Sequence, residues 1–569
     1  MIATCRLRAL PIVALLLVFT AACVSDAKPR SIPPGVTPGG HVTVGILAPR
    51  SIAPWLTSAL DPYGSVVVST MCDQVLALDP ATAALAPSIA SSWRYQKAND
   101  LLLKLRRGLV FSDGSPVSTG DIADSVSRAA RFEVASPVAG VLKLVSGSDF
   151  LGGLPTATKQ NRRYRERLAG VLSPDPGSLE ILLADSRPDA FRFLAHPLAS
   201  VVPSNAYRKD PAAMERQPVC VGPYRLDGPW QPGTTSIRLS RSPHYKPYRD
   251  GLVGAGRGLF DSIEFRILPD RQALESAYRS GALDIAYLPA ASASAARQQF
   301  GSDVVDAPSP TVQYIGLPTT KAPFDDPTVR VALSMAIDRR AVAGAVPGGL
   351  RPLSRFLPGT LGDAYADDTK AACRTTARAE GDAVSARKLL EKDHRSLAGE
   401  TVSISFNDEF GNRALVEAVA KQWEATFGMH VQLVPVSWSQ LLDEAGTTTG
   451  VTNAFRLSWR PEVTDPVEYV KPLFASKEVG RTNWSRFAAP PLDRQIDEVA
   501  DKRVEPRDRA TELLGAETML CIAMPMIPIA QGSFVYAVRQ PRLAAAAGRF
   551  TDRATGALLL RELYLKERP

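Results

Sequence analysis

Strand patterns of period two alternate with helix patterns of period 3.6 along almost the whole chain, and that alternation limits the fold more than any single motif. His41 to Leu47 (HVTVGIL) reads as a first strand. Leu101, Leu103 and Leu105 alternate with Leu102, Lys104 and Arg106 as in a half-buried strand, which runs into the turn dipeptide Asp113-Gly114. Ser118-x-x-Asp121 then opens a helix with Ile122 and Val126 on one face. Further on, Arg271 to Ser280 reads as a helix stopped at Gly281 and followed by a strand at Leu283 to Leu288. A strand is expected to begin around Tyr314. Asp326-Pro327 starts a helix with Val329, Ala332, Leu333, Ala336 and Ile337 along one face. Thr401 to Phe406, Arg413 to Phe427 and Val431 to Val436 give strand, helix, strand, and Met526 to Tyr536 is a last apolar strand. Residues 136–200 read only as a small mixed segment. With 569 residues the chain exceeds what one hydrophobic core supports, so two or more α/β lobes are expected.

The first residues are not part of that pattern. Arg6 and Arg8 precede an apolar run, Leu10 to Phe19, too short to span a bilayer comfortably, and Thr20-Ala21-Ala22 leads into Cys23. This reads as an export signal over residues 1–22, and the small residues before Cys23 are similar to a bacterial lipobox, which would make Cys23 the lipid-modified first residue. Plain cleavage near Ala22, leaving Cys23 a free thiol, is the alternative. Residues 23–40 are polar and rich in Pro and Gly, as in a flexible tether. The net charge of +8 is modest for this length and the basic residues are scattered, so nucleic acid is not expected as a partner. Besides Cys5 and Cys23, Cys72, Cys220, Cys373 and Cys521 allow up to two disulfides in an exported chain, and spacing does not choose among the pairings. No C-x-x-C points to zinc.

Asn453 to Phe474 (NAFRLSWRPEVTDPVEYVKPLF) carries the densest local information. It reads as a strand from Ala454 to Trp459, a loop holding Glu462, and a helix opening at Asp465-Pro466, with the Asp465 carboxylate capping the first turn. A strand that ends in Trp and hands a carboxylate to a loop can wall a cleft, the ring giving contact area and the acid an orienting charge. Catalytic sets are missing. The five histidines stand singly, and no H-E-x-x-H, G-x-S-x-G or phosphate-binding glycine loop occurs. Ser385-Ala386-Arg387-Lys388 matches S-x-x-K without its companion elements, and Asp325-Asp326 is better explained by helix capping than by acid–base work. A binder, not an enzyme, is the reading, with no cofactor and no metal.

Five stretches in order then resemble the family 5 extracellular solute-binding proteins, the dipeptide- and oligopeptide-binding lipoproteins of ABC importers. Leu103 to Val126 resembles that family's strand, FSDG-x-P turn and helix. Val221 to Leu226 with Arg238 to Tyr245 resembles its TGPY strand and R-N-P-x-Y hairpin, and Ser280 to Ile285 its G-E-x-D element. Ala322 to Arg339 (APFDDPTVRVALSMAIDR) is the most specific match. Ser458 to Phe474 resembles its G-W-x-x-D strand, loop and helix. The chain departs from the family where Cys220-Val221 replaces Gly-Thr, and where Leu317-Pro318 replaces an Asn after the strand.

The resemblance implies an α/β, two-lobe periplasmic-binding-protein-like fold of the large, cluster C type, with an extra subdomain in the N-terminal lobe. Lobe I would hold residues 41–310, including an inserted subdomain at about 82–200, and residues 529–569; lobe II would hold 311–528. It implies a monomer on the outer face of the cell membrane, held by its lipid anchor, that gives a captured peptide to ABC permease subunits with their ATPases. Residue by residue, the acid that takes a peptide's α-ammonium falls on Glu462. Trp459 and the backbone of Ser458 and Arg460 would form the adjoining wall, and Asp465 is a weaker candidate. Asn407-Asp408-Glu409 stands where some dipeptide binders carry an Arg for the ligand carboxylate, which implies a longer peptide or a cationic solute. Another solute on the same fold (a nickel chelate, haem, an oligosaccharide), a secreted hydrolase, and a surface sensor remain as alternatives.

Overall fold

The computed structural model describes residues 38–56, 61–80, 84–97, 99–129, 167–184, 188–246, 258–288, 293–346, 350–361, 372–408, 411–461, 465–501, 511–545, 548–553 and 555–566. The leader, Cys23, the tether up to residue 37 and Glu462 lie outside these residues. Ten strands in one sheet organise the molecule: β1 (His41–Ile46), β2 (Tyr224–Leu226), β3 (Ser236–Arg241), β4 (Ser262–Ile267), β5 (Ile285–Leu288), β6 (Val304–Gly316), β7 (Thr401–Phe406), β8 (His430–Pro435), β9 (Ala454–Trp459) and β10 (Met526–Val538). Their spatial order is β8-β7-β9-β6-β10-β5-β1-β4-β3-β2, with the short strand Arg351–Pro352 also on β10. β7 pairs parallel to both β8 and β9, and β1 parallel to both β4 and β5, so each half of the sheet has a parallel centre. Among the described residues no helix is long and apolar enough to cross a membrane.

The fold is α/β with two lobes. Buried side chains separate into clusters on either side of the middle of β6 and β10. One large core draws on residues from Val312 to Ala530. Another draws on Val42 to Tyr287 and on Tyr536 to Leu563. A third fills a subdomain of the first lobe, under a separate four-stranded sheet that includes Ala90–Lys97 and Asp100–Leu105. β6 and β10, each 13 residues long, are the strands that pass through both halves. Val304 to Pro308 of β6 pairs with β10 beside one core and Val312 to Gly316 beside the other. The register shifts between Pro308 and Val312. Pro310 lies in that gap and has no N–H to give to a ladder, which favours a break there.

Local chemistry explains why the family-like stretches hold their shape. In α1 (Pro62–Met71) Asp61 caps the first turn through Tyr63 N (2.9 Å) and Gly64 N (3.1 Å), with Pro62 at the first helical position. Cys72, at the other end of α1, is joined to Cys220. Gly222 packs so closely on α1 that an added Cβ would lie 1.9 Å from Met71 O. The Cys220 departure is thus a covalent tie between α1 and the turn into β2. The remaining pair, Cys373–Cys521, lies within the other lobe, so neither disulfide joins the two cores. In α2 (Pro327–Met335), capped by Asp326 as the sequence indicates, Arg330 donates to Phe324 O and Ala523 O. Arg339, fully buried, donates to the carbonyls of Ser334, Ile337, Arg378 and Pro528 and to Ser334 Oγ. With no carboxylate beside it among the described residues, burial lowers its pKa to about 9. The most specific family-like motif therefore anchors the second lobe to β10.

Candidate ligand-binding cleft

A cavity of about 460 Å³ opens where the two lobes meet, within the range of small-molecule sites. Its wall on the first lobe comes from α1 (Ser65, Ser69), from Tyr287 on β5, from Phe534 and Tyr536 on β10, and from Asp552, Thr555 and residues 557–562. The second lobe contributes Arg460 and Pro461, directly after β9, and Pro310 stands at the crossover. The site is thus assembled from segments about 500 residues apart in the chain, brought together by β6 and β10.

The aromatic wall is ordered by its own contacts. The ring centroids of Tyr287 and Tyr536 are 4.6 Å apart, those of Tyr63 and Tyr287 5.2 Å, and those of Tyr287 and Phe534 6.2 Å. Tyr536 donates its hydroxyl to Gly556 O at 3.1 Å. Burial pushes the Tyr287 hydroxyl well above its ordinary pKa, and burial with Asp61 nearby pushes Tyr63 up to about 12, so both stay neutral donors. Such a surface offers flat apolar area with hydroxyls at its edge.

His196 lines the same cavity and its Nδ1 accepts from Leu198 N at 3.2 Å, capping a short turn of helix. Enclosure by protein, and secondarily the charge of Arg460, lower its pKa to about 3. Arg460 is exposed and lines the cavity, and neighbouring protein lowers its pKa below the usual arginine value.

The sequence-derived candidates separate here. Arg460 lines the cavity through its side chain. Trp459 is half-buried, packs on the second lobe's core and donates Nε1 to Glu468 O at 2.8 Å. Ser458 is exposed and pairs across the ladder with Gln313. Asp465 is fully buried; its Oδ1 accepts from Val467 N at 3.0 Å, and α3 (Val467–Phe474) begins two residues after it. Its capping role fits the sequence reading, with the boundary moved by the usual one or two residues. Glu462 has no described position. Tyr287, Phe534 and Tyr536 were legible only as positions in strands, and His196, Arg50 and Asp61 carried no signal of a site. Only the Ser280–Ile285 element pointed nearby, and its acid Asp284 binds Thr43 N and Oγ1 (2.9 Å each), joining β5 to β1 and not a ligand. Ser385 of the S-x-x-K stretch sits in the first turn of a helix capped by Asp382.

A cleft between two α/β lobes joined by crossover strands is the form of a two-lobe solute-binding protein. The chain matches the family "Bacterial extracellular solute-binding proteins, family 5 Middle" over residues 84–481, and it belongs to that family. It is 24% identical over 454 residues to the periplasmic oligopeptide-binding protein OppA of Salmonella typhimurium, covering 78% of each chain. It is also 24% identical over 455 residues to a probable deoxycholate-binding periplasmic protein, YgiS, of Escherichia coli, covering 78% of this chain and 79% of that one. Among solved structures, the unliganded open form of the periplasmic murein tripeptide-binding protein MppA superposes with a TM-score of 0.75 at 19% identity, over 94% of this chain and 99% of that one.

Proposed function

We propose that the protein is the lipid-anchored solute-binding component of an ABC importer, which captures peptides in the cleft and delivers them to a membrane permease. The observation that carries this reading is the cavity bounded by Tyr287, Phe534 and Tyr536 on one lobe and by Arg460-Pro461 on the other. The relationship to an oligopeptide-binding protein supports peptides as the solute. Residues 41–310 with 529–569 act as one lobe and 311–528 as the other, turning about Ser309-Pro310-Thr311 and closing on the ligand. Glu462 takes the α-ammonium of the peptide, beside the wall begun by Trp459 and the backbone of Ser458 and Arg460. Asp408 is exposed and hydrogen-bonded to Arg413 Nε at 2.9 Å, which fits a peptide long enough to need no ion pair there. Cys23 carries the lipid and the protein works as a monomer at the outer face of the cell membrane.

Titration calorimetry with unmodified di- to pentapeptides tests this. Saturable 1:1 binding is expected, and Glu462→Gln should weaken it roughly ten- to a hundred-fold, since a hydrogen bond to a charged group contributes about 1.5–3 kcal/mol. Its melting temperature should stay that of the parent. Binding unchanged in the variant would remove Glu462 from the site. Labelled palmitate entering the parent but not Cys23→Ala tests the anchor. A second reading keeps the fold and changes the solute to an amphipathic non-peptide. The aromatic wall favours it, as does the relationship to a probable deoxycholate-binding protein.

A further inference from the structure

The charged groups around the cleft are unequally committed. Asp61 uses Oδ1 on the amides of Tyr63 and Gly64 and Oδ2 on that of Arg50, at 2.9, 3.1 and 3.1 Å. Asp552 Oδ1 accepts from Thr555 N at 2.7 Å and Thr555 Oγ1 at 2.8 Å. Glu562 is 4% exposed. On the cationic side, Arg561 pairs with Asp73 and gives further donors to Thr70 O (2.9 Å) and Cys72 O (2.6 Å). Arg50 and Arg460 differ from these. Each lines the cavity, and among the described residues neither guanidinium makes a hydrogen bond or an ion pair. Arg50 follows β1 of the first lobe and Arg460 follows β9 of the second, so the two unpaired cations enter one space from different lobes.

A guanidinium on the wall of a cavity with no partner from the protein is free to pair with a group that enters the cavity. Among the described residues the groups whose fields reach Arg460 are Tyr287, Tyr469 and His196, and none of these is an anion: both phenols are held protonated by burial and the imidazole is neutral. A planar guanidinium suits a carboxylate or phosphate through two parallel N–H donors. We propose that Arg460, with Arg50 on the facing lobe, binds an anionic group of the solute, so that the cleft selects solutes bearing a carboxylate or phosphate beside the Tyr287–Phe534 wall. This rests on the reading of the cleft as the solute site, and it concerns the Arg460 side chain, not the backbone contacts drawn from the resemblance. A cationic solute would meet two unpaired cations here.

Calorimetry on the mature chain and on Arg460→Gln tests the assignment with four tripeptides: Ala-Glu-Ala and Ala-Gln-Ala, each with a free and an amidated C-terminus. Glutarate and phenyl phosphate serve as non-peptide anions. The parent should bind the anionic probes roughly ten- to a hundred-fold tighter than their neutral counterparts, the range of one charge-assisted contact. Arg460→Gln should erase that preference, leave the neutral peptides unchanged and melt at the parent's temperature. Equal binding of charged and neutral probes by the parent, or equal loss of both in Arg460→Gln, overturns the proposal. If the tripeptides fail to bind while glutarate or phenyl phosphate binds in an Arg460-dependent way, the peptide reading falls and this one stands. If no probe of either kind binds, both fall.

Discussion

At the residue scale, burial holds several groups of the cleft in one protonation state. His196 shows this most clearly, because protein and Arg460 together depress its pKa to about 3 while its Nδ1 accepts from Leu198 N. In the unfolded chain the same ring takes up a proton near pH 6.5. Between pH 6.5 and about 3 the unfolded chain therefore binds a proton that the folded chain refuses, and folding loses stability as pH falls through that window. Above pH 6.5 the group contributes nothing to the pH dependence. His196→Gln should lose stability less steeply than the parent over that window in denaturant titrations. In a proton NMR titration the His196 ring signals should stay still above pH 4 while freely exposed histidines shift near 6.5; a His196 titration near 6.5 would show that the ring is not enclosed. None of this was legible in the sequence, where His196 is a single histidine in a mixed segment. Arg460 was legible only as a position beside Trp459, since periodicity shows which face a residue takes and not which opposing lobe it meets.

At the element scale, what the sequence made legible follows the strength of its local signals. Strands β1, β7, β8 and β9 and helix α2 sit within a residue or two of where the sequence pattern puts them, the strands through short apolar, β-branched runs and α2 through its apolar face and its Asp326 cap. β6 was read only from Tyr314 onward, although it starts at Val304. Pro308 and Pro310 interrupt its alternation, and its first half is specified by pairing with β10, a partner more than 200 residues away. Gly316, at the end of β6, leaves room for the Phe455 ring of β9, which would lie 2.1 Å from an added Cβ; that requirement too is tertiary. The Cys72–Cys220 bond was open among several pairings and is now seen to tie α1, whose first turns line the cleft, to the segment before β2. Replacing both cysteines by serine should cost about 2–5 kcal/mol of unfolding free energy, as for other long-loop disulfides. Chemical denaturation of the first lobe checks this, and a loss below about 1 kcal/mol would mean the packing of Gly222 on α1 holds the junction unaided.

At the scale of the whole molecule, the chain is two lobes joined by two long strands, the first lobe carrying a further core in its subdomain, with a disulfide inside each lobe and a polar, aromatic-walled space between them. Length and alternation announced the lobes, and the five ordered motifs announced the family. The contents of the cleft stayed hidden because its walls come from segments that share no local pattern. The most direct test of the central claim is a crystal structure of the exported protein purified without denaturation, together with whatever solute it retains. The account predicts solute density between Tyr287, Phe534 and Tyr536 on one side and Arg460 on the other, with the lobes drawn together about Ser309-Pro310-Thr311. A solute bound elsewhere on the molecule, with this cleft occupied by water alone, would contradict it.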